Sequence, residues 1–213
     1  MAFSIYSIYQ WLQPGFRQCR WALFLDIFHP DASTRILDVG GHVYDWEGIV
    51  PIASQITLLN LAYPKATVPA PARFTSVIGD GRRLPFPDGS FDIVYSNSVI
   101  EHVGNRADQE RFAAEIRRVA RGVFLQTPNR WFFIEPHFIA PFVHYLPPRL
   151  AQRLLRVFSV RAWLRRGDDV ELAQLDRELR LLTASEMRTL FPDCILHRER
   201  WCGLTKSFVM VRR

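Results

Sequence analysis

The residues best suited to chemistry in this chain fall in three clusters, and the first is Asp38-Val-Gly-Gly41. Gly40 and Gly41 carry no Cβ, so the backbone can approach a ligand closely, while Ile36, Leu37 and Val39 suit a buried strand leading into the turn. A nucleotide-like cofactor is commonly held at such a turn, although an ordinary strand-to-turn junction uses the same residue types. The second cluster is Asn60 and Asp80-Gly81, each at the end of a further apolar run. The third is a pair of imidazoles, His102 and His137, either of which can serve as general base toward a hydroxyl acceptor. His102 equally suits a helix cap or packing under a sheet edge, and His137 equally suits a structural tie. Glu135 and His137 have no third ligand in view, so no metal is expected.

Those residues need a scaffold, and the hydrophobic pattern supplies one. Residues 1–30 read as a helical arm whose aromatic face includes Trp11, Phe16, Trp21, Phe24 and Phe28, with a break at Pro14-Gly15. Apolar strands are expected at Arg35–Val39, Gln55–Asn60, Phe74–Ile78, Phe91–Tyr95 and Gly122–Gln126, with a helix over Ala107–Val119. Between the first two strands, Tyr44-Asp-Trp-Glu-Gly48 has room only for a short helix. Strands alternating with helices imply a mostly parallel sheet covered on both faces. Thr183-Ala-Ser-Glu186 is a capping box that starts a helix up to Leu190, and the last two strands look like a hairpin closed through Cys202-Gly203. One domain is expected over 1–213, divided into the arm (1–30), a cofactor-binding core (31–127), a Pro- and Arg-rich cap or insertion (128–180) and a closing helix and hairpin (181–213).

Composition narrows the function classes. Hydrophobic residues make up 48% of the 213-residue chain, which disfavours disorder, coiled coil and collagen. The net charge of +6 is carried by arginine, since Lys65 and Lys206 are the only lysines, and arginine favours bidentate contacts with phosphate or carboxylate. Solvated arginines account for the same balance. Cys19, Cys194 and Cys202 are odd in number and lack metal spacing, so free thiols in a reducing compartment are expected. The N-terminus lacks the pattern of a signal peptide, and no apolar run is long enough for a span, which points to a cytoplasmic protein. Arg149, Arg153 and Arg156 recur at helical spacing within Arg149–Arg166. That segment reads either as a solvated helix or as a basic amphipathic one in peripheral contact with an anionic membrane.

Asp38 to Gly41, Asn60 and Asp80 all fall at the carboxyl ends of successive strands, the edge where open α/β sheets bind ligands. Together with Leu84-Pro-Phe-Pro-Asp-Gly-Ser-Phe-Asp-Ile-Val-Tyr-Ser-Asn-Ser-Val-Ile-Glu-His102, this pattern resembles the class I S-adenosylmethionine-dependent methyltransferases, particularly the small-molecule branch containing the ubiquinone and menaquinone biosynthesis enzymes. The resemblance covers residues 34–127 well and the last thirty more loosely. It implies a Rossmann-like, doubly wound, seven-stranded sheet with an antiparallel last strand. S-adenosyl-L-methionine is the implied cofactor. Asp38, Gly40 and Gly41 would line its methionine portion, Asn60 would face the ribose hydroxyls, Asp80 would accept from the adenine amino group beside Gly81, and Ser96 would approach the sulfonium through its backbone. Two positions depart from the family pattern: His42 stands where a further glycine is common, and Asn60 where an acidic residue is common. A Gly-Gly turn followed by an aromatic such as Trp46 would accommodate the histidine.

The reaction implied is methyl transfer to a small-molecule acceptor, lipidic or anionic, with His102 and His137 as the catalytic candidates. Other readings differ in kind. A nicotinamide dehydrogenase would need G-x-G-x-x-G, which Gly40-Gly41-His42-Val43-Tyr44 does not supply. A nucleic-acid methyltransferase acting on an amino group would need an Asn/Asp-Pro-Pro-aromatic turn where Ser96-Asn97-Ser98 stands, and no basic, aromatic-interleaved module is present. A non-catalytic methyltransferase-like scaffold is favoured by the same two departures, His42 and Asn60.

Overall fold

Short β-branched and aliphatic runs build the centre of the molecule, in a computed structural model that describes residues 5–46, 55–62, 72–135, 140–141 and 179–213. Arg35–Val39 (β1), Gln55–Asn60 (β2), Phe74–Ile78 (β3), Phe91–Asn97 (β4) and Ala120–Pro128 (β5) run parallel. Ile134–Glu135 (β6) and Ala140–Pro141 (β7) form a separate two-stranded ribbon. Ile195–Trp201 (β8) and Leu204–Arg212 (β9) are the closing hairpin, and β9 lies antiparallel on β5. The resulting seven-stranded order is β3-β2-β1-β4-β5-β9-β8. Chain direction of travel across the sheet reverses between β1 and β4, and the crevice outside the carboxyl ends at that switch is where such sheets hold ligands. The hairpin turn uses Cys202 and Gly203, both at positive φ (48° and 81°), the backbone that matches the twist of a two-residue loop.

Each face of the sheet has its own cover. Leu37, Val39, Val94, Val123, Leu125, Phe208 and Met210 alternate onto the face packed by Arg106–Val119 (α2) and Ala184–Leu190 (α3). Ile36, Ile93, Tyr95, Phe124, Val209 and Val211 alternate onto the other, which Ile5–Phe28 (α1) covers through Trp21 and Phe24. The period of two along the central strands thus sorts these side chains between two cores. Tyr95 lies between Trp21 and Phe124, stacked on both at centroid distances of 4.8 and 5.5 Å. Such pairs add about 0.5–1.5 kcal/mol each beyond their area. Both anticipated helix starts are capped: Asn105 accepts from the Asp108 amide and Thr183 from the Glu186 amide.

One expectation is corrected. Helix α1 runs without interruption from Ile5 to Phe28, through Pro14-Gly15, where a break was expected. A proline removes one backbone bond and kinks a helix, but it need not end one when the following turns are held, as Trp21 and Phe24 hold them here on the sheet. Most of the expected cap, including His137 and Arg149–Arg166, lies outside the described residues. Among the described residues no helix is long and apolar enough to cross a membrane.

Candidate active site

The turn after β1 is organised by a buried carboxylate. Asp38 alternates with Leu37 and Val39, so its side chain points to the α1 face, where it is only 1% exposed. Trp46 Nε1 donates to Asp38 Oδ2 at 2.7 Å, while Oδ1 has no hydrogen-bond partner among the described residues. Burial pushes the carboxyl up to about 7 and the nearby Asp45 carboxylate adds to this, against the opposing Trp46 bond. Gly41 makes room for it: a Cβ there would lie 1.7 Å from Asp38 Oδ2. Gly40 sits at φ 82°, and a Cβ there would meet Val99 Cγ2 at 2.4 Å. His42 needs no glycine conformation, because its φ of −131° is ordinary extended backbone. Its amide donates to Asp45 Oδ2 and its ring stacks on Tyr44, so the departure at this position is accommodated locally.

On one side of Gly40 opens a cavity of about 540 Å³, walled by Leu59, Asn60, Asp80, Gly81, His102 and Phe112 among others. On the other lies a small polar recess lined by Arg17, Arg20, Asp38, Gly41, Asp45 and Asn97. The two share the Gly40 backbone. The structure therefore brings Gly40, Asn60, Asp80, Gly81 and His102 to one cavity, and places Asp38 and Gly41 beyond its end. Ser96 lines neither. It is buried, and its hydroxyl donates to the Val39 carbonyl at 3.2 Å, tying β4 to β1.

Asn60 explains its own departure from the acidic pattern. Its Nδ2 donates to the Gly41 carbonyl at 2.9 Å, bridging the ends of β1 and β2. A carboxylate cannot donate, so Asn60→Asp would set an anion against that carbonyl. The expected cost is about 1–3 kcal/mol, read as a lower Tm at pH 8 with recovery toward pH 4 as the new carboxyl protonates. An unchanged Tm would show that the amide bond does not hold the turn.

Asp80 is the second anion of the site. Arg82 clasps it, with Nε 3.0 Å from both carboxylate oxygens, a terminal nitrogen 2.6 Å from Oδ2 and the Arg82 amide 2.9 Å from Oδ1. This guanidinium holds the Asp80 carboxyl below its ordinary value. His102 ends a short 3-10 turn, Ile100–His102, whose position is secured from several sides. Gln109 Nε2 donates to the Ile100 and Arg180 carbonyls, the Arg180 amide donates to Glu101 O at 2.8 Å, and buried Glu101 accepts from Thr127. Ser98 precedes this turn at φ 57°, a strained backbone for a serine, and bonds Gln126 through both amide and hydroxyl.

Several functional positions had no signal of their own in the sequence. Arg17 and Arg20 come from the arm, some twenty residues before Asp38, and only the packing of α1 brings them to the recess. Arg82 has one legible cue, the Asp-Gly-Arg spacing, which lets a side chain fold back on an aspartate two residues earlier. Groups of three metal-ligating side chains are absent among the described residues.

A doubly wound sheet with a glycine turn, a buried acid and a cavity at its switch point defines a Rossmann-like cofactor domain. Residues 34–123 match the methyltransferase domain family. The chain is similar to a probable S-adenosylmethionine-dependent methyltransferase of Mycolicibacterium smegmatis, 39% identical over 49% of this chain and 42% of that protein. It is also similar to one of Mycobacterium tuberculosis, 47% identical over 24% of this chain and 18% of that protein. The chain thus spans less than half the length of these curated relatives. In fold it is similar to the Burkholderia thailandensis 1,6-didemethyltoxoflavin-N1-methyltransferase, with TM-score 0.58 and 15% identity over 95% of this chain and 80% of that one. A methyltransferase of Aquifex aeolicus aligns with TM-score 0.52 and 10% identity over 99% and 98% of the two chains. Over residues 34–123 the chain carries a methyltransferase domain, the class that its glycine turn and the Asp80–His102 stretch implied.

Proposed function

We propose that this chain transfers a methyl group from S-adenosylmethionine to a small-molecule acceptor. The observation that carries the reading is the orphaned Asp38 Oδ1, a buried acceptor with an unused lone pair in a recess that shares the Gly40 backbone with a 540 Å³ cavity. An α-ammonium group is the donor that such an oxygen lacks, and the amino-acid end of the cofactor carries one. Gly40 and Gly41, where a Cβ would collide, supply the close backbone approach that a ligand lying across the turn requires. Asn60 keeps its side-chain carbonyl as an acceptor for a ribose hydroxyl, and Asp80 with the Gly81 amide offers an acceptor and a donor side by side for adenine.

When bound, the cofactor would supply an electrophilic methyl carbon on a sulfonium, with the neutral thioether as leaving group for in-line attack by the acceptor. What the chain contributes is alignment and exclusion of water. Ser96 ties the end of β4 to Val39 beside the Gly40 turn, the strained Ser98 ties the chain after β4 to Gln126 in β5, and Val99 closes on Gly40. His102, in the cavity wall, is positioned to take a proton from a hydroxyl acceptor. The sequence-based assignments of His137 to the acceptor and of Arg149–Arg166 to an anionic membrane surface rest on the sequence pattern alone and remain part of this proposal.

Titration calorimetry with S-adenosylhomocysteine tests the reading. Binding in the micromolar range is expected, weakened about 10- to 100-fold by Asp80→Ala, as expected for loss of a charged hydrogen-bond acceptor. His102→Ala should leave that affinity in place and lower turnover. No binding to the wild-type chain would sink the proposal.

A further inference from the structure

Arg82 touches Asp80 by a route that nothing in the chemistry of the transfer requires. Its guanidinium is anchored from three elements at once: to the Asp80 carboxylate at the end of β3, to Asp108 Oδ1 at 3.3 Å in the first turn of α2, and to the Val103 carbonyl at 3.4 Å beyond the 3-10 turn. Asp108 is itself fixed, because it closes the capping box with Asn105 and accepts from Arg111. Gly81, between the two clasped residues, rests on the Phe112 ring, where a Cβ would come within 2.6 Å. The Asp80 carboxylate is therefore held ionised and in one orientation at the rim of the cavity, by a side chain that cannot rotate away without losing three partners.

We propose that Arg82 is a positioning residue that sets the base specificity of the cofactor site, by locking the Asp80 carboxylate as an anionic acceptor for an exocyclic amine. The proposal rests on the cofactor reading above. A carboxylate has about four acceptor directions. Arg82 N and Arg82 Nε approach Oδ1, while Nε and a terminal nitrogen approach Oδ2, with Nε shared between the two oxygens. Three donors thus occupy the carboxylate, which keeps lone-pair capacity for one more. A 6-amino group can use it. A 6-oxo group meets the lock as acceptor against acceptor, and a site built for a donor rejects such an analogue strongly. The alternative relation between the same groups is competition, in which Arg82 occupies Asp80 until adenine displaces it, and the two relations predict opposite signs.

The test compares S-adenosylhomocysteine with S-inosylhomocysteine, its 6-oxo counterpart, by calorimetry on the full chain. Wild-type protein should prefer the adenosyl compound by about 100-fold or more, the scale set by one lost charged hydrogen bond plus the repulsion of acceptor against acceptor. Arg82→Ala should weaken the adenosyl compound about tenfold and leave the inosyl compound within about twofold, so that discrimination falls about tenfold. Arg82→Lys, which keeps the charge but not the fork, should fall between them and guards against an alanine variant that folds poorly. Equal weakening of both ligands would reduce Arg82 to a structural brace and overturn the inference, as would tighter adenosyl binding by the alanine variant. Failure of the wild type to bind either ligand overturns the cofactor reading itself and the lock with it.

Discussion

Asp38→Asn is expected to make the ligand-free protein more stable and to cripple its hold on the cofactor. Burial raises the Asp38 carboxyl from its ordinary 3.8 to about 7 in the folded chain, at 1% exposure. A folded value above the unfolded one means that the folded state resists losing this proton. The resulting penalty is fully present above pH 7, shrinks as the pH falls, and is gone below about pH 4. Its size is on the order of 2–4 kcal/mol at pH 8. An asparagine removes the charge and keeps an acceptor for Trp46 Nε1, but it leaves a buried amide donor that costs about 1–3 kcal/mol. The net gain is about 1 kcal/mol, or about 2–4 °C in Tm.

The pH dependence separates this group from the others. Wild-type protein should gain stability relative to the variant as the pH falls from 8 to 5. Asp80, Asp92, Glu115 and Glu186 have lowered carboxyls, so their contributions are lost only on acidification below the ordinary carboxylate range. Lys206, lowered to about 8 by burial, titrates at the upper edge of the window and contributes alike to wild type and variant, so it cancels in the comparison. Binding moves the other way, because an ammonium partner requires the ionised acid. Affinity for S-adenosylhomocysteine should fall about tenfold per pH unit below 7 in the wild type, and by about 10- to 100-fold at pH 8 in the variant. Calorimetry and thermal melts over pH 5–8 check both halves. A variant that melts lower at pH 8 and binds as well as wild type would show that Asp38 is a structural acid.

Gly41→Ala carries the second large effect. The added methyl would lie 1.7 Å from Asp38 Oδ2 and 2.2 Å from its carboxyl carbon, so one of them must move. Moving the carboxylate breaks its bond to Trp46, whose ring is buried beside Trp21 and Tyr95. The expected loss is about 3 kcal/mol, from an unsatisfied buried pair and overpacking together, with cofactor binding abolished. Gly15→Ala is the matched control. Nothing lies within 4 Å of its Cβ position in α1, so alanine there should stabilise by up to about 1 kcal/mol through helix propensity. If both substitutions left Tm within 2 °C of wild type, the cradle assigned to Gly41 would be wrong.

Much of the scaffold was legible because its signals are local. Ile36, Leu37 and Val39, the Phe91–Tyr95 run and the Thr183–Glu186 capping box each carry their message within a few residues, and all three elements stand where the pattern put them. Pro14-Gly15 is a local breaker that does not end α1, because the sheet holds Trp21 and Phe24 in the turns that follow. The residues of the large cavity were legible for a similar reason: Gly40, Asn60 and Asp80 close parallel strands, and parallel strands present their carboxyl ends along one edge.

The sequence by itself determined the class of domain, the cofactor it implies and the edge of the sheet that meets it. Only the tertiary structure decided how the charges there are used. Asp38 and Asp80 look alike as strand-ending acids, yet α1 buries the first until its carboxyl ionises near 7, and Arg82 clasps the second so that it stays an anion. An acid's ionisation is set by what surrounds it in three dimensions: solvent excluded by an aromatic helix in one case, a guanidinium anchored from three elements in the other.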